Sequence, residues 1–155
     1  MKTIRIVFAC LLFIFVFSCN NKADKQDVDE DSIQAVPASS WVATSNDSTG
    51  KLEMKKIETM GPDSLTATSV VNYLNTQNPN ARLEYLRTSN DTIYIRIPDA
   101  MYLTQQMGST GPSMFFATAV YNLTEIPGIT HVNFDFEEGD HASPGTLNRD
   151  SFQNQ

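Results

Sequence analysis

Residues 112–136 read PSMFFATAVYNLTEIPGITHVNFDF, and this stretch decides the fold. Phe115, Phe116, Ala119, Val120 and Leu123 recur at three- and four-residue spacing, the period of one helix face. Pro112 suits the first helical turn, where its missing N–H would have no partner anyway. Pro127-Gly128 then stops the helix. Beyond it the period changes to two. Val132, Phe134 and Phe136 alternate with His131, Asn133, Asp135 and Glu137, as a half-buried strand over Thr130 to Glu137 requires.

Working outward, Thr92 to Ile97 predicts a second strand, with Ile93, Ile95 and Ile97 on one face and Thr92, Tyr94 and Arg96 on the other. Arg82 to Thr88 reads as its hairpin partner through Ser89-Asn90-Asp91, with Leu83 and Tyr85 on one face. Gly61-Pro62-Asp63 breaks the chain ahead of a helix that Asp63 or Ser64 can cap and whose buried face is Ala67, Val70, Val71 and Leu74. Trp41 to Thr44 is a candidate first strand. Lys51 to Met60 is undecided, with Leu52, Met54 and Ile57 as its apolar residues. Asp99 to Met107 offers a helical turn, and the chain from Gly139 onward is loop-like. The order β-α-β-β-α-β predicts an α+β fold: a single small domain over residues 41–155, its mixed sheet covered on one face by two helices.

The first residues have a different character. Lys2 and Arg5 precede a continuous apolar run from Ile6 to Phe17, too short for a membrane-spanning helix of about 20 residues and suited to a signal peptide. Val16-Phe17-Ser18-Cys19 resembles a bacterial lipobox, although Phe17 is bulkier than that pattern usually holds. The resemblance implies cleavage of residues 1–18 and a diacylglycerol on Cys19, a membrane anchor worth about 0.8 kcal/mol per buried methylene. The alternative is a secretory leader cleaved nearby or an uncleaved anchor. Residues 19–40 carry Asp24, Asp27, Asp29, Glu30 and Asp31 without apolar periodicity, and read as a disordered acidic tether.

The leader holds two of the 11 basic residues and none of the 18 acidic ones, so the remainder carries a formal charge of -9. Such a surface repels phosphate backbones and argues against nucleic-acid binding. Both cysteines, Cys10 and Cys19, lie at or before the cleavage point, which leaves the folded part without a disulfide or thiolate metal site.

The residues from Thr92 to Phe152 resemble the GerMN domain, a spore-germination domain of bacterial envelope lipoproteins. The features that carry the resemblance are the Ile93, Ile95, Ile97 strand, the Gly108-Ser109 loop, the helix with Ala117 to Glu125, and Ile126-Pro127-Gly128-Ile129 leading into the strand to Phe136. Asn122-Leu123-Thr124-Glu125-Ile126-Pro127-Gly128-Ile129 is its most specific part. Met60-Gly61-Pro62 matches part of a Leu-Leu-x-Gly-Pro motif in the family's first half, but the helix after it departs from the pattern. The resemblance implies an α+β envelope protein that assembles or scaffolds near the cell wall, and supplies no catalytic residue set.

His131, Asp135, Glu137, Asp140 and His141 form the most metal-like set, its oxygens suited to calcium or magnesium and its imidazoles to zinc. The plainer reading is a solvated strand face, because side chains at i and i+2 stand roughly 7 Å apart. A glycosidase-type pair among Asp135, Glu137, Glu138 and Asp140 would need about 5–10 Å and a sugar cleft. Ser109 with either histidine lacks a Gly-x-Ser-x-Gly elbow. The Gly108 to Gly111 loop could offer N–H groups to an anion, yet without a phosphate-loop lysine it reads as a helix entry. Tyr85, Tyr94, Arg96 and Tyr102 compose either a recognition surface or core-edge packing. The expectation is a lipid-anchored envelope protein with a non-catalytic domain, no cofactor, and an envelope protein or cell-wall component as partner. The alternative is a small-ligand, glycan or metal binder, or a hydrolase, that uses residues 135–141.

Overall fold

A computed structural model describes residues 39–153. Cys19, the leader and nearly all of the acidic segment lie outside these residues. The domain is already in place at Ser40, which is 1% exposed and accepts a hydrogen bond from the Tyr73 hydroxyl at 2.8 Å.

The α+β architecture of the sequence reading is present. Strand β1 (Ser40–Ser45) pairs antiparallel with β2 (Leu52–Ile57). Helix α1 (Ala67–Gln77) leads to β3 (Glu84–Ser89), which turns tightly into β4 (Thr92–Arg96). A π-helical turn (Tyr102–Gln106) precedes helix α2 (Gly111–Leu123). Strand β5 (His131–Asp135), the short β6 (Gly145–Leu147) and a 3₁₀ turn (Arg149–Phe152) complete the described chain. The main sheet runs β3-β4-β5-β6, with β4 and β5 parallel and the outer pairs antiparallel. Parallel neighbours need a crossover, and α2 supplies it.

The strands differ from the expected order in three ways. First, β1 joins no strand of the main sheet but forms a two-stranded sheet of its own with the undecided segment, now β2. In that segment Leu52 and Met54 alternate with charged residues, but Lys56 breaks the period, so the strand has a weak signature. Second, the tail contributes β6, which adds three residues to the edge beside β5. Third, Tyr85 does not share the buried face of Leu83: Leu83 is buried and Tyr85 is 40% exposed. A register shift between Tyr85 and Arg87 bends this edge strand, a common way to blunt a sheet edge.

The core lies between the main sheet and the helices. Ile93, Ile95, Val132 and Phe134 project from β4 and β5 and are at most 2% exposed. Phe116 of α2 packs edge-on against Phe134 and stacks on Phe136, with ring centroids 4.8 and 5.7 Å apart. Helix α1 buries Val70, Val71 and Leu74 beside α2. Its cap is Thr66, whose hydroxyl accepts from the Ser69 N–H, and not Asp63 or Ser64. Ser64 instead uses its own N–H to bond the Ser69 hydroxyl, two residues ahead of the cap position.

Helix α2 buries more than the stripe its period suggests. Pro112, Ala117 and Asn122 are buried along with the expected residues. At 100° per residue, Thr118 and Asn122 lie about 200–240° round the helix from Phe116. That second face meets the β1–β2 hairpin. A helix covered on both sides has to be apolar nearly all round, and this one is.

Candidate functional site

Two places collect functional-looking side chains: the open face of the main sheet and the seam where β1 meets α2. The open face carries the residues opposite the core. Register pairs Arg87 with Tyr94, Thr92 with His131, Arg96 with Asp135, and Asn133 with Thr146. The Arg87 guanidinium lies 3.5 Å from the centre of the Tyr94 ring, close enough for a cation–π contact. Arg96 Nε stands 3.5 Å from Asp135 Oδ2, and Asn133 donates to Thr146 Oγ1 at 2.8 Å.

His131 sits at the start of β5 with its Nδ1 3.1 Å from Asp91 Oδ2 and 2.7 Å from Thr130 Oγ1. The Thr130 and His131 hydrogen bonds hold the Asp91 carboxyl below the usual carboxylate range, and Thr92 adds to them. The hairpin tip makes this possible. Asn90 adopts a φ of 53°, a left-handed conformation that asparagine tolerates better than most residues, and the Asp91 carbonyl accepts the N–H groups of Thr130 and His131.

The proposed ligand residues are therefore spread among separate neighbours. His131 faces Asp91, and Asp135 faces Arg96. Glu137 and Asp140 are exposed beyond the end of β5. His141 is exposed, and its backbone N–H bonds the Thr104 carbonyl at 3.0 Å. Glu138 accepts from the Ser143 hydroxyl. Among the described residues, no group of three or more His, Asp or Glu side chains stands close enough to hold a metal ion. The Gly108 to Gly111 loop leads into α2 as a helix entry, with Gly108 at φ 71°.

The seam has no signature in the apolar periods of the sequence. Trp41 N–H donates to Asn122 Oδ1 at 3.0 Å, and Asn122 Nδ2 returns a bond to the Trp41 carbonyl at 2.7 Å. One strand step on, the Ala43 N–H donates to Thr118 Oγ1 at 3.0 Å. Residues 41 and 43 point their amides the same way, and residues 118 and 122 share one helix face. Two side chains of α2 thus replace the partner strand that β1 lacks on this edge. Asn122 is 3% exposed, and its fixed bonds explain how a buried amide is tolerated.

Glu125, just past α2, ties in the rest. It accepts from the Trp41 indole at 3.1 Å and pairs with the Arg149 guanidinium, while Lys56 stands 3.9 Å away. Arg149 also donates to the Thr124 hydroxyl and the Tyr121 carbonyl, and lies over the Tyr121 ring at 4.9 Å. Burial raises the Glu125 carboxyl, but the Arg149 and Trp41 hydrogen bonds and two nearby cations outweigh it and hold it below the usual range. A buried asparagine inside an otherwise apolar helix was the available signal for the seam. Period analysis counts apolar positions and passes over such a residue.

The family model described as Germane, sporulation and spore germination, matches residues 17–140. The match takes in the run from Asn122 to Ile129 that builds the seam, and reaches further toward the N-terminus than the resemblance read from residues 92–152. No match was found among curated proteins or among solved structures.

Proposed function

From the premise that this chain belongs to the Germane family of sporulation and spore germination, we propose that it is a lipid-anchored protein of the bacterial cell envelope. Cys19 carries the lipid, and the domain binds or scaffolds other envelope components without catalysis. One observation carries the non-catalytic part. The charged side chains of the open sheet face are engaged locally, Arg87 over the Tyr94 ring, Arg96 with Asp135 and His131 with Asp91 of the adjoining turn, and among the described residues they do not converge on one point. A polar face whose side chains are already engaged suits a second protein surface, which brings its own shape and polar rim. A general acid or base needs a poised proton beside a bound substrate, and this face offers no enclosure for one. The acidic segment between Cys19 and the domain gives the face reach from the membrane.

The reading is tested by photo-crosslinking in cells from Tyr94 and Asn133, in chains that keep Cys19 and chains with Cys19→Ser. Adducts to one envelope protein from both positions, lost when Cys19→Ser releases the chain from the membrane fraction, are the expected result. Crosslinks that persist in a soluble Cys19→Ser chain would remove the anchor from the proposal. Stoichiometric heat from calcium or zinc, abolished by His131→Ala, would replace the protein-binding face with a metal site.

A further inference from the structure

Strand β2 closes the smaller sheet on one side, and among the described residues its outer edge meets no strand. The phase of that edge can be read from β1. Register sets Trp41 opposite Lys56 and Ala43 opposite Met54. Trp41 and Ala43 turn their main-chain groups away from β2, toward Asn122 and Thr118. In an antiparallel ladder, directly opposite residues either bond each other or both turn outward. Met54 and Lys56 therefore aim their N–H and C=O groups away from β1, and alternation adds Leu52. The Asn46 N–H, which bonds the Lys51 carbonyl at 2.8 Å, fixes the same phase from the turn.

The other sheet edges offer less. The register shift after Tyr85 interrupts β3, β6 is three residues long, and α2 side chains close the far edge of β1. Along β2, Leu52 and Met54 pack on the core, so Glu53 and Lys55 stand on the opposite face, where both are exposed. Asn46 donates to Oε1 of Glu53 at 2.6 Å and leaves Oε2 open. Lys55 makes no ion pair among the described residues. Lysine on a sheet edge commonly keeps other strands away. This strand also carries the carboxylate that would receive that lysine.

We infer that β2 pairs antiparallel with β2 of a second copy of this chain, about a twofold axis at Met54. The strand is self-complementary in one register. Hydrogen bonds form only where the outward residues Leu52, Met54 and Lys56 lie opposite one another. With Met54 opposite Met54, Leu52 faces Lys56, whose aliphatic stem can cover it, and Glu53 faces Lys55 of the other copy, twice by symmetry. Glu53 and Lys55 then take the closer, non-hydrogen-bonded position, with Cα atoms about 4.5 Å apart, where opposite charges attract and like charges repel. Sliding the strands by one ladder repeat sets Glu53 against Glu53 in one direction and Lys55 against Lys55 in the other, so charge rejects both neighbouring registers. The result is a four-stranded sheet, β1-β2-β2-β1, with both α2 helices on one side.

The test mixes unlabelled and heavy-nitrogen-labelled copies of the full chain in detergent micelles and treats them with a carbodiimide, which joins a lysine amine to a touching carboxylate as an amide with loss of water. Mass spectrometry should find Glu53 of a light chain joined to Lys55 of a heavy one. Sedimentation equilibrium in density-matched detergent then follows the charge variants. Glu53→Lys and Lys55→Glu each turn both facing pairs into like charges, and each alone should weaken the dimer about ten-fold. Mixing the two variants sets opposite charges against each other again and restores wild-type affinity, as does the double variant. Both positions are exposed, and an unchanged Trp41 fluorescence spectrum confirms that the variants fold. The mixture keeps the test decisive where Glu53→Lys loses the Asn46 contact. The inference is overturned if the chain stays monomeric, if the single variants dimerise like wild type, if the mixture does no better than either variant alone, or if Lys55 links instead to the acidic residues between Cys19 and Ser40. None of these results bears on the crosslinks from Tyr94 and Asn133, which lie on the other sheet.

Discussion

Replacing Asn122 tests whether two helix side chains serve as the missing strand partner of β1. In Asn122→Ala the Trp41 N–H and carbonyl both lose their protein partners. The Thr118 carbonyl also loses a side-chain bond, but keeps its ordinary helical partner four residues on. An orphaned buried polar group costs about 1–3 kcal/mol. Trp41 is half-buried, so the lower part of that range applies to each group, and the expected loss is about 2–3 kcal/mol. Asn122→Asp gives a sharper test. The aspartate can still accept from Trp41 N–H, yet its second oxygen must face the Trp41 and Thr118 carbonyls without a proton to share. At neutral pH it should therefore destabilise more than alanine does, although it is nearer in shape to asparagine. Urea unfolding followed by the fluorescence of Trp41, the chain's single tryptophan, measures both variants. Amide exchange at residues 41 and 43 locates the effect. An alanine variant within about 0.5 kcal/mol of wild type, the range of ordinary surface substitutions, would refute the reasoning. An aspartate variant more stable than alanine would do the same.

Three further outcomes follow from the same contacts. The Glu125 carboxyl is held below its usual range in the folded state, so its contribution is present above the unfolded value of about 4.3 and fades as pH falls through the lower folded value; Glu125→Gln should flatten the acid limb of a stability–pH curve, and an unchanged limb would count against the Arg149 pairing. In Gly139→Ala the new methyl would stand 2.6 Å from the Thr104 Cβ and 2.7 Å from its hydroxyl oxygen, so thermal melting should show a clear loss, and a melting temperature equal to wild type would mean that this loop shifts freely. Phe134→Ala removes a ring that is 2% exposed and packed on Phe116, and should cost about 3–5 kcal/mol in chemical denaturation; a loss near 1 kcal/mol would mean that the core closes over the gap.

The legible parts of the fold are those whose signal is local. The stripe on α2, the isoleucines of β4 and the alternation of β5 follow from the periods 3.6 and 2.0, and every residue those periods select there is buried, although α2 buries Ala117 and Asn122 besides. The Asn122 to Ile129 run was recognisable as a family feature before its job could be seen. The candidate ligand set was less legible. Alternation places His131 and Asp135 on one face, but whether they meet depends on neighbours from another strand, and Asp91 and Arg96 engage them separately.

The sequence by itself determined the α+β class, the main core stripe of each helix and of β4 and β5, the helix stop at Pro127-Gly128, and the kinship carried by residues 92–152. Only the tertiary structure decided which sheet β1 joins, that Thr66 caps α1, and that Asn122 and Thr118 complete an edge of β1. Periodicity encodes which face of an element is dry. It does not encode which element supplies the opposite wall, and a contact such as Trp41 with Asn122, 81 positions apart, forms only when the packed core brings those walls together.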